Sequence, residues 1–438
     1  MVVEIEILFI QPFIKPEIRS AFFKLMYSYF SKIAFFDTYL AFQQLAAVTP
    51  RRHSIKIFDE RFENINFNER CDIVGITFPT GFAPRAYEIA DEFRRRGKTV
   101  VLGGPHVSIL PEEAKQHADS VVIGEAELIW PQLLKDYENG GLKPFYKQEI
   151  PVSAELIPPA RRDITAKYCK PVARVQATRG CPIGCEFCGV PVIEGRYLRK
   201  RPIENVIEEI KSIPQRFLIF SDASLTIDPS YTKSLFQEMK GLGKKFSCFG
   251  NTDVLGRDDE FLKLAKEAGC ILWYVGFESV SQEVIDKLGK KTNVVKEYAS
   301  VVEKIHEYKM AVSGSFIFGF DEDPKDLSDR TVKVMNEINL DLAEINVLTP
   351  FPGTPLFERL EREGRITIKD WFHYREGQHG TEVVFEPKNM SREELYDHYD
   401  TAFRKWFYGL SSIKRISKSI KIGFYPSLYV ALANTFHI

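Results

Sequence analysis

Arg174-Val-Gln-Ala-Thr-Arg-Gly-Cys181-Pro-Ile-Gly-Cys185-Glu-Phe-Cys188 is the stretch on which the fold turns. Its start, Arg174–Ala177, predicts a strand, and that strand runs into a loop where Gly180, Gly184 and Gly189 permit sharp turns. The C-x3-C-x2-C spacing can therefore bring three thiolates around one site. Structural zinc and electron-transfer clusters normally take four protein ligands, so a triplet points to a four-iron four-sulfur cluster with one iron open to another molecule. A structural zinc completed by the distant Cys169, or a set of merely buried thiols, is the alternative. The other cysteines, Cys71, Cys248 and Cys270, are scattered and too few for a disulfide scaffold.

Working outward, a βα series surrounds the triplet. Strands are expected at Arg174–Ala177, Phe217–Ser221, Phe246–Asn251, Ile271–Phe277, Val312–Phe318 and Leu342–Leu348, alternating with helical patterns such as Ile203–Ile213 and Tyr298–Tyr308. Six such units fit a partial (β/α)6 barrel, although an open sheet has the same pattern. The alternation stops after Pro350-Phe-Pro-Gly-Thr-Pro355, and a charged, mostly helical extension follows.

Upstream, residues 1–150 alternate in the same way. Apolar runs at 2–10, Ser54–Phe58, Asp72–Thr77, Thr99–Leu102 and Ser120–Ile123 flank amphipathic stretches such as Pro84–Arg96. This is the rhythm of a doubly wound, flavodoxin- or Rossmann-like parallel sheet. Pro151, Pro158 and Pro159 mark a connection without periodicity. The expected α/β organisation is thus a doubly wound domain at 1–150, a linker at 151–170, a partial barrel at 171–360 and an extension at 361–438. A chain of 438 residues exceeds what one core usually supports, in keeping with several domains. A net charge of −1 gives no reason to expect a nucleic-acid partner. Neither a signal peptide nor a spanning apolar run is visible, so a cytoplasmic location is expected.

The triplet, with Phe187 just before its last cysteine, resembles the signature of the radical S-adenosylmethionine (SAM) superfamily, and the resemblance extends to about residue 360. It implies that Cys181, Cys185 and Cys188 hold the cluster and that SAM chelates the open iron, where it is split to a 5′-deoxyadenosyl radical. Phe220-Ser221-Asp222-Ala-Ser224 stands in the place of the family's Gly-Gly-Glu segment, which makes Ser221 and Asp222 candidates for the SAM amino group. Glu278 resembles the acidic residue after the fourth strand, near the ribose or amino-acid end. Gly314-Ser315-Phe-Ile-Phe-Gly319 resembles the segment beside the adenine. Acids at the carboxyl ends of barrel strands face the usual active-site mouth.

The loops after strands three to five of the first domain are distinctive: Thr77-Phe78-Pro-Thr80-Gly81, Gly103-Gly104-Pro-His106-Val-Ser-Ile-Leu-Pro-Glu-Glu113 and Gly124-Glu125-Ala-Glu127. The residues alone fit a ligand site or a ligand-free regulatory domain equally. Resemblance to the cobalamin-binding domain of one branch of the superfamily implies that these loops receive cobalamin. The lower-ligand pattern Asp-x-His-x-x-Gly is absent, which implies base-off, histidine-off binding. That branch suggests a C-methyltransferase using two SAM molecules, one to methylate cobalamin and one to open a substrate C–H bond. The electron donor would be a flavodoxin or ferredoxin, and the substrate a protein side chain, lipid or tetrapyrrole. Cyclisation, carbon–carbon bond formation or oxidation without methyl transfer is an alternative, as is a non-catalytic cobalamin or redox sensor. His373 and His379 are candidates for the substrate cavity. Lys414, Arg415, Lys418 and Lys421 beside an aromatic run suggest a possible seat on a membrane surface, against packing on the barrel.

Overall fold

The computed structural model describes residues 4–14, 40–168, 170–374, 382–408 and 410–436. Cys169 and His379 lie outside them. The first sheet has strands β1 (Glu6–Gln11), β2 (Ser54–Asp59), β3 (Ile73–Thr77), β4 (Thr99–Gly103), β5 (Ser120–Ile123) and β6 (Phe145–Lys147). All neighbours are parallel, in the order β2-β1-β3-β4-β5-β6. The reversal of direction at β1 creates the doubly wound form, with helices and apolar clusters on both faces. Helix Ala83–Arg95 illustrates the local logic: Pro84 occupies the first turn, Ala86, Ile89, Ala90 and Phe93 are buried, and Arg94 and Arg95 end it. The turn Arg162–Tyr168 is docked on this sheet, where the Tyr168 hydroxyl accepts from the Asp59 N–H at 2.9 Å.

The second sheet contains β7 (Val172–Val175), β10 (Phe217–Phe220), β11 (Lys245–Gly250), β12 (Cys270–Glu278), β13 (Ala311–Phe318) and β14 (Leu342–Val347). A small antiparallel ribbon, β8 (Thr178–Arg179) with β9 (Arg199–Lys200), flanks the cysteine loop. The six parallel strands follow in sequence order, from β7 at one edge to β14 at the other. Right-handed crossovers without a reversal put every helix on one face, so the sheet curls around the other. It is therefore a partial barrel, whose edge strands β7 and β14 have no further partner among the described residues. Trp273, Val275, Phe277, Phe316 and Phe318 are buried in its large core, whereas Tyr274, Gly276, Ser315, Ile317 and Asn346 are only half-buried in the alternate positions.

The extension is helical, as expected. Helix Arg392–Phe407 begins with a capping box between Ser391 and Glu394. Helices Leu410–Ser419 and Phe424–Phe436 follow. Val430 and Ala433 join Ile271, Leu272, Ala311 and Leu342, residues at the starts of barrel strands, in one apolar cluster. Tyr429 shares a 2.6 Å hydroxyl hydrogen bond with Tyr274. The last helix thus covers the amino-end floor of the barrel. Among the described residues no helix is long and apolar enough to cross a membrane.

Candidate active site

The cysteine loop is built by close backbone contacts. At Gly180 (φ +86°) an added Cβ would lie 2.2 Å from the Tyr197 carbonyl oxygen, so the loop requires glycine there. The Cys181 N–H donates to Gly195 O at 3.1 Å, and the Cys188 N–H to Cys185 O at 3.1 Å. All three thiols are free and partly buried. Burial pushes Cys185 up to about 11 and also raises Cys188; the Lys290 ammonium opposes this for both. Among the described residues no set of three or more His, Cys, Asp or Glu side chains is gathered closely enough to hold a single metal ion. The thiols instead stand around the loop within range of one another's charge. Their soft sulfur donors suit an iron–sulfur cluster, and their number leaves one iron for an exogenous ligand.

Two carboxylates brace this loop. Asp222 is fully buried: its Oδ1 accepts from the N–H of Ala177 (3.1 Å) and Thr178 (2.5 Å) and from the Thr178 hydroxyl (2.7 Å), and its Oδ2 from Ala177 at 3.2 Å. Burial pushes its carboxyl up to about 7, against the pull of these hydrogen bonds. Glu194 accepts from the Gly180 N–H at 2.9 Å. Outside the loop, Arg359 pairs with Glu186 at 2.9 Å and with Asp321 at 2.9 Å, and the Leu356 N–H donates to Glu186 O. Phe187 packs near Phe320, ring centroids 6.1 Å apart.

Glu278 ends β12 with a left-handed backbone, φ +61°, beside a register shift between Gly276 and Glu278. Such strain in a non-glycine residue persists only where its surroundings enforce it. Here Lys290, also buried, donates to Glu278 Oε1 at 2.5 Å and to Gly276 O at 2.7 Å, while Asn293 and Tyr298 bind the Phe277 carbonyl. An added Cβ at Gly276 would come within 2.4 Å of the Glu278 carboxylate. The charges of Glu278 and Lys290 reach the Cys185 and Cys188 thiols, Glu278 raising and Lys290 lowering their titration. Ser315 is half-buried on β13, and the Ser221 hydroxyl accepts from Arg174 at 3.4 Å.

In the first domain, His106 is completely buried. Its Nδ1 lies 3.3 Å from Thr80 Oγ1, and its Nε2 lies 3.1 Å from the Tyr87 hydroxyl and 3.3 Å from Glu113. Glu113 also accepts from Trp371 Nε1 at 2.9 Å, which ties the loop of Phe78, Thr80 and His106 to the C-terminal extension. His373 stands next to this contact, 2.6 Å from Glu382. Gly104 (φ +97°) answers to its own chain, since a Cβ would meet Thr77 Oγ1 at 2.1 Å. Gly124 (φ +84°) receives the Ser108 hydroxyl oxygen on its N–H at 2.9 Å, and Gly103 ends β4. Glu125 reaches the barrel: it accepts from Arg179 (2.9 Å), Arg199 (2.7 Å) and the Val152 N–H (2.5 Å), and Arg179 also bonds Glu127 at 2.6 Å. Arg179 stands just before Gly180 and Cys181, so this buried ion-pair group joins the two domains at the cysteine loop.

Sequence reasoning placed Asp222 and Glu125 at bound cofactors; the structure shows their protein partners, Ala177 and Thr178 for Asp222 and Arg179, Arg199 and Val152 for Glu125. It passed over Lys290, Glu194, Arg179, Arg199 and Tyr87, and it named Glu113 only as the end of the loop after the fourth strand. For Lys290 a signal existed: Gly289-Lys290-Lys291-Thr-Asn293 shortly after a strand-end acid.

Comparison with known proteins agrees with this arrangement. A model of the radical SAM superfamily matches residues 175–371, a B12 binding domain matches 44–134, and a domain of unknown function (DUF4070) matches 354–426. Bacteriochlorophyllide d C-12(1)-methyltransferase of Chlorobaculum tepidum is 32% identical over 356 residues, covering 79% of this chain and 76% of the relative. The C-8(2)-methyltransferase of the same organism is 33% identical over 356 residues, 77% of this chain and 79% of its own. In fold, the chain superposes on the radical SAM methyltransferase TsrM from Kitasatospora setae with a TM-score of 0.69 at 15% identity, over 91% of this chain and 89% of that one. The chain belongs to the cobalamin-dependent methyltransferase family of the radical SAM superfamily.

Proposed function

We propose that this cobalamin-dependent C-methyltransferase acts on an unactivated carbon of a tetrapyrrole or a comparably lipophilic molecule, in the cytoplasm or at a membrane surface. The observation that carries the assignment of the site is the junction itself. Arg179 leads directly into the cysteine triplet while holding Glu125 and Glu127 of the B12-binding loops, so the two domains meet where the thiols stand. Relatives whose names specify bacteriochlorophyllide carbons support the substrate class.

When bound, the cluster and SAM supply a hydrogen-abstracting radical and cobalamin supplies the methyl group. Cys181, Cys185 and Cys188 would hold the cluster. Asp222 and Glu194 fix the loop backbone that presents them, and Glu125 fixes the loop against the first domain. The Glu278–Lys290 pair offers both charges to the amino-acid end of SAM, with Ser315 on the neighbouring strand and Ser221 across the barrel. Gly103, Gly104 and Gly124 would line the cobalamin side, with Phe78 and Thr80 buried behind them in the first domain's core. His106 has both ring nitrogens engaged by Thr80, Tyr87 and Glu113, which supports histidine-off binding. A one-electron donor of the flavodoxin or ferredoxin class would supply the reducing electrons.

The test is anaerobic turnover of the reconstituted protein with bacteriochlorophyllide d and with a hopanoid, followed by product mass. A methyl gain with 5′-deoxyadenosine and S-adenosylhomocysteine formed together is expected. Methylation of the hopanoid alone would move the substrate from tetrapyrroles to other lipophilic molecules, methylation of neither would refute the substrate class, and a product of changed mass without added methyl would refute methyl transfer.

A further inference from the structure

The two helices after Tyr408 combine features that the catalytic reading leaves unused. From Thr401 onward the sequence has no aspartate or glutamate, yet it carries Arg404, Lys405, Lys414, Arg415, Lys418 and Lys421. Arg404 and Lys405 pair with Asp400 and Asp329 and Arg415 is buried, so the positive charge of this surface rests on Lys414, Lys418 and Lys421. On helix Leu410–Ser419 and the turn after it, Ile413 and Ile420 protrude, 63% and 69% exposed, on the side that also bears exposed Lys414, Lys418 and Lys421. On helix Phe424–Phe436, Phe424 (74% exposed), Leu428 and Leu432 project at four-residue spacing, one outward stripe on a helix with no charged residue. The inner face is fully used, with Tyr429, Val430 and Ala433 on the barrel floor. Apolar side chains pointing outward beside lysines, on helices too short to span a bilayer, are the features of an interfacial element.

We infer that Ile413, Ile420, Phe424, Leu428 and Leu432, with Lys414, Lys418 and Lys421, form a surface that docks on an anionic lipid bilayer. The apolar stripe inserts at the headgroup boundary, and the lysines meet lipid phosphates. Position argues against an acidic redox protein as occupant. The helices cover the starts of the barrel strands, whereas the cysteine loop follows the carboxyl end of β7, so an electron donor seated here would lie at the wrong end of the barrel. Docking through the floor leaves the cluster end free.

Co-sedimentation of the full chain with phosphatidylcholine vesicles, with and without phosphatidylglycerol, tests this. Binding should require phosphatidylglycerol and weaken at high salt. Replacing Lys414→Gln and Lys421→Gln should lower partitioning about five-fold per lysine. Replacing Phe424→Ser and Leu428→Ser should abolish it. All four side chains are exposed, so thermal melting should match wild type; if a variant melts early, the salt and lipid dependence of the unaltered chain decides. Absence of vesicle binding, or binding indifferent to salt and to both variant pairs, overturns the inference. So does a dimer that Phe424→Ser disperses without vesicle binding, or lysine-dependent capture of flavodoxin in its place.

Discussion

Replacing Asp222 with alanine separates bracing of the cysteine loop from direct ligand binding. The change leaves the buried N–H groups of Ala177 and Thr178 without an acceptor and strands the Thr178 hydroxyl. An unpaired buried N–H costs about 1–3 kcal/mol, so the two together cost about 2–6 kcal/mol, a large share of the roughly 5–15 kcal/mol that holds a typical protein folded. Asp222→Asn keeps one oxygen for the short contacts and should be far milder. The carboxyl also titrates with a definite sign. Its folded pKa of about 7 stands above the ordinary 3.8 because burial favours the protonated form. Its stabilising contribution is therefore fully present below about pH 4 and is lost as the pH rises through about 7. Melting curves from pH 4 to 8 should fall more steeply for wild type than for Asp222→Asn, because the asparagine does not titrate. Iron content after anaerobic reconstitution should drop sharply in Asp222→Ala and stay near wild type in Asp222→Asn. Full iron loading and unchanged melting of Asp222→Ala, with only SAM affinity reduced, would refute the bracing role and return Asp222 to the ligand.

Alanine at Cys181, Cys185 or Cys188 should abolish 5′-deoxyadenosine formation, while alanine at Cys71, Cys248 or Cys270 should leave it; iron analysis and single-turnover product measurement distinguish the two groups, and wild-type cleavage without Cys185 would sink the assignment. Glu125→Ala deprives Arg199 of its carboxylate and Arg179 of one of two, a broken buried pair worth about 3–5 kcal/mol. Faster proteolysis around residues 151–160 is the expected sign of a loosened junction, and an unchanged cleavage rate would count against it. Bound cob(II)alamin should show no nitrogen splitting in its electron paramagnetic resonance spectrum, because His106 is committed to Thr80, Tyr87 and Glu113; a split signal would contradict this.

Local signals made most of the fold legible. The runs at Ile73–Thr77, Ile271–Phe277 and Val312–Phe318 are strands because β-branched and aromatic residues crowd into short segments bounded by turn formers. The edge strand Phe145–Lys147 is three residues long, too short for periodicity to register. Whether six βα units curl or lie flat depends on strand order, which no single segment encodes. The cysteine triplet was readable because its chemistry sits within eight consecutive positions, 181–188. The protein-internal partners of Asp222 and Glu125 were not legible for a physical reason. A carboxylate after a strand or in a glycine-rich loop looks the same whether it meets a ligand or a distant part of the chain. Only the fold brings Ala177 to Asp222 and Arg179 to Glu125.

The ion-pair group at the junction also bears on modular engineering. Radical chemistry is an attractive part to graft, and a designer would naturally cut between the two sheets and attach a different first domain to the barrel. In this chain that cut would strand Arg179 and Arg199 in a dry interface unless the incoming domain carried glutamates equivalent to Glu125 and Glu127. Since Arg179 leads straight into the cysteine loop, the mismatch would be felt at the thiols as well as at the seam. A workable chimera therefore has to carry the Gly124–Glu127 loop with the barrel, treating it as a barrel part that happens to be encoded upstream.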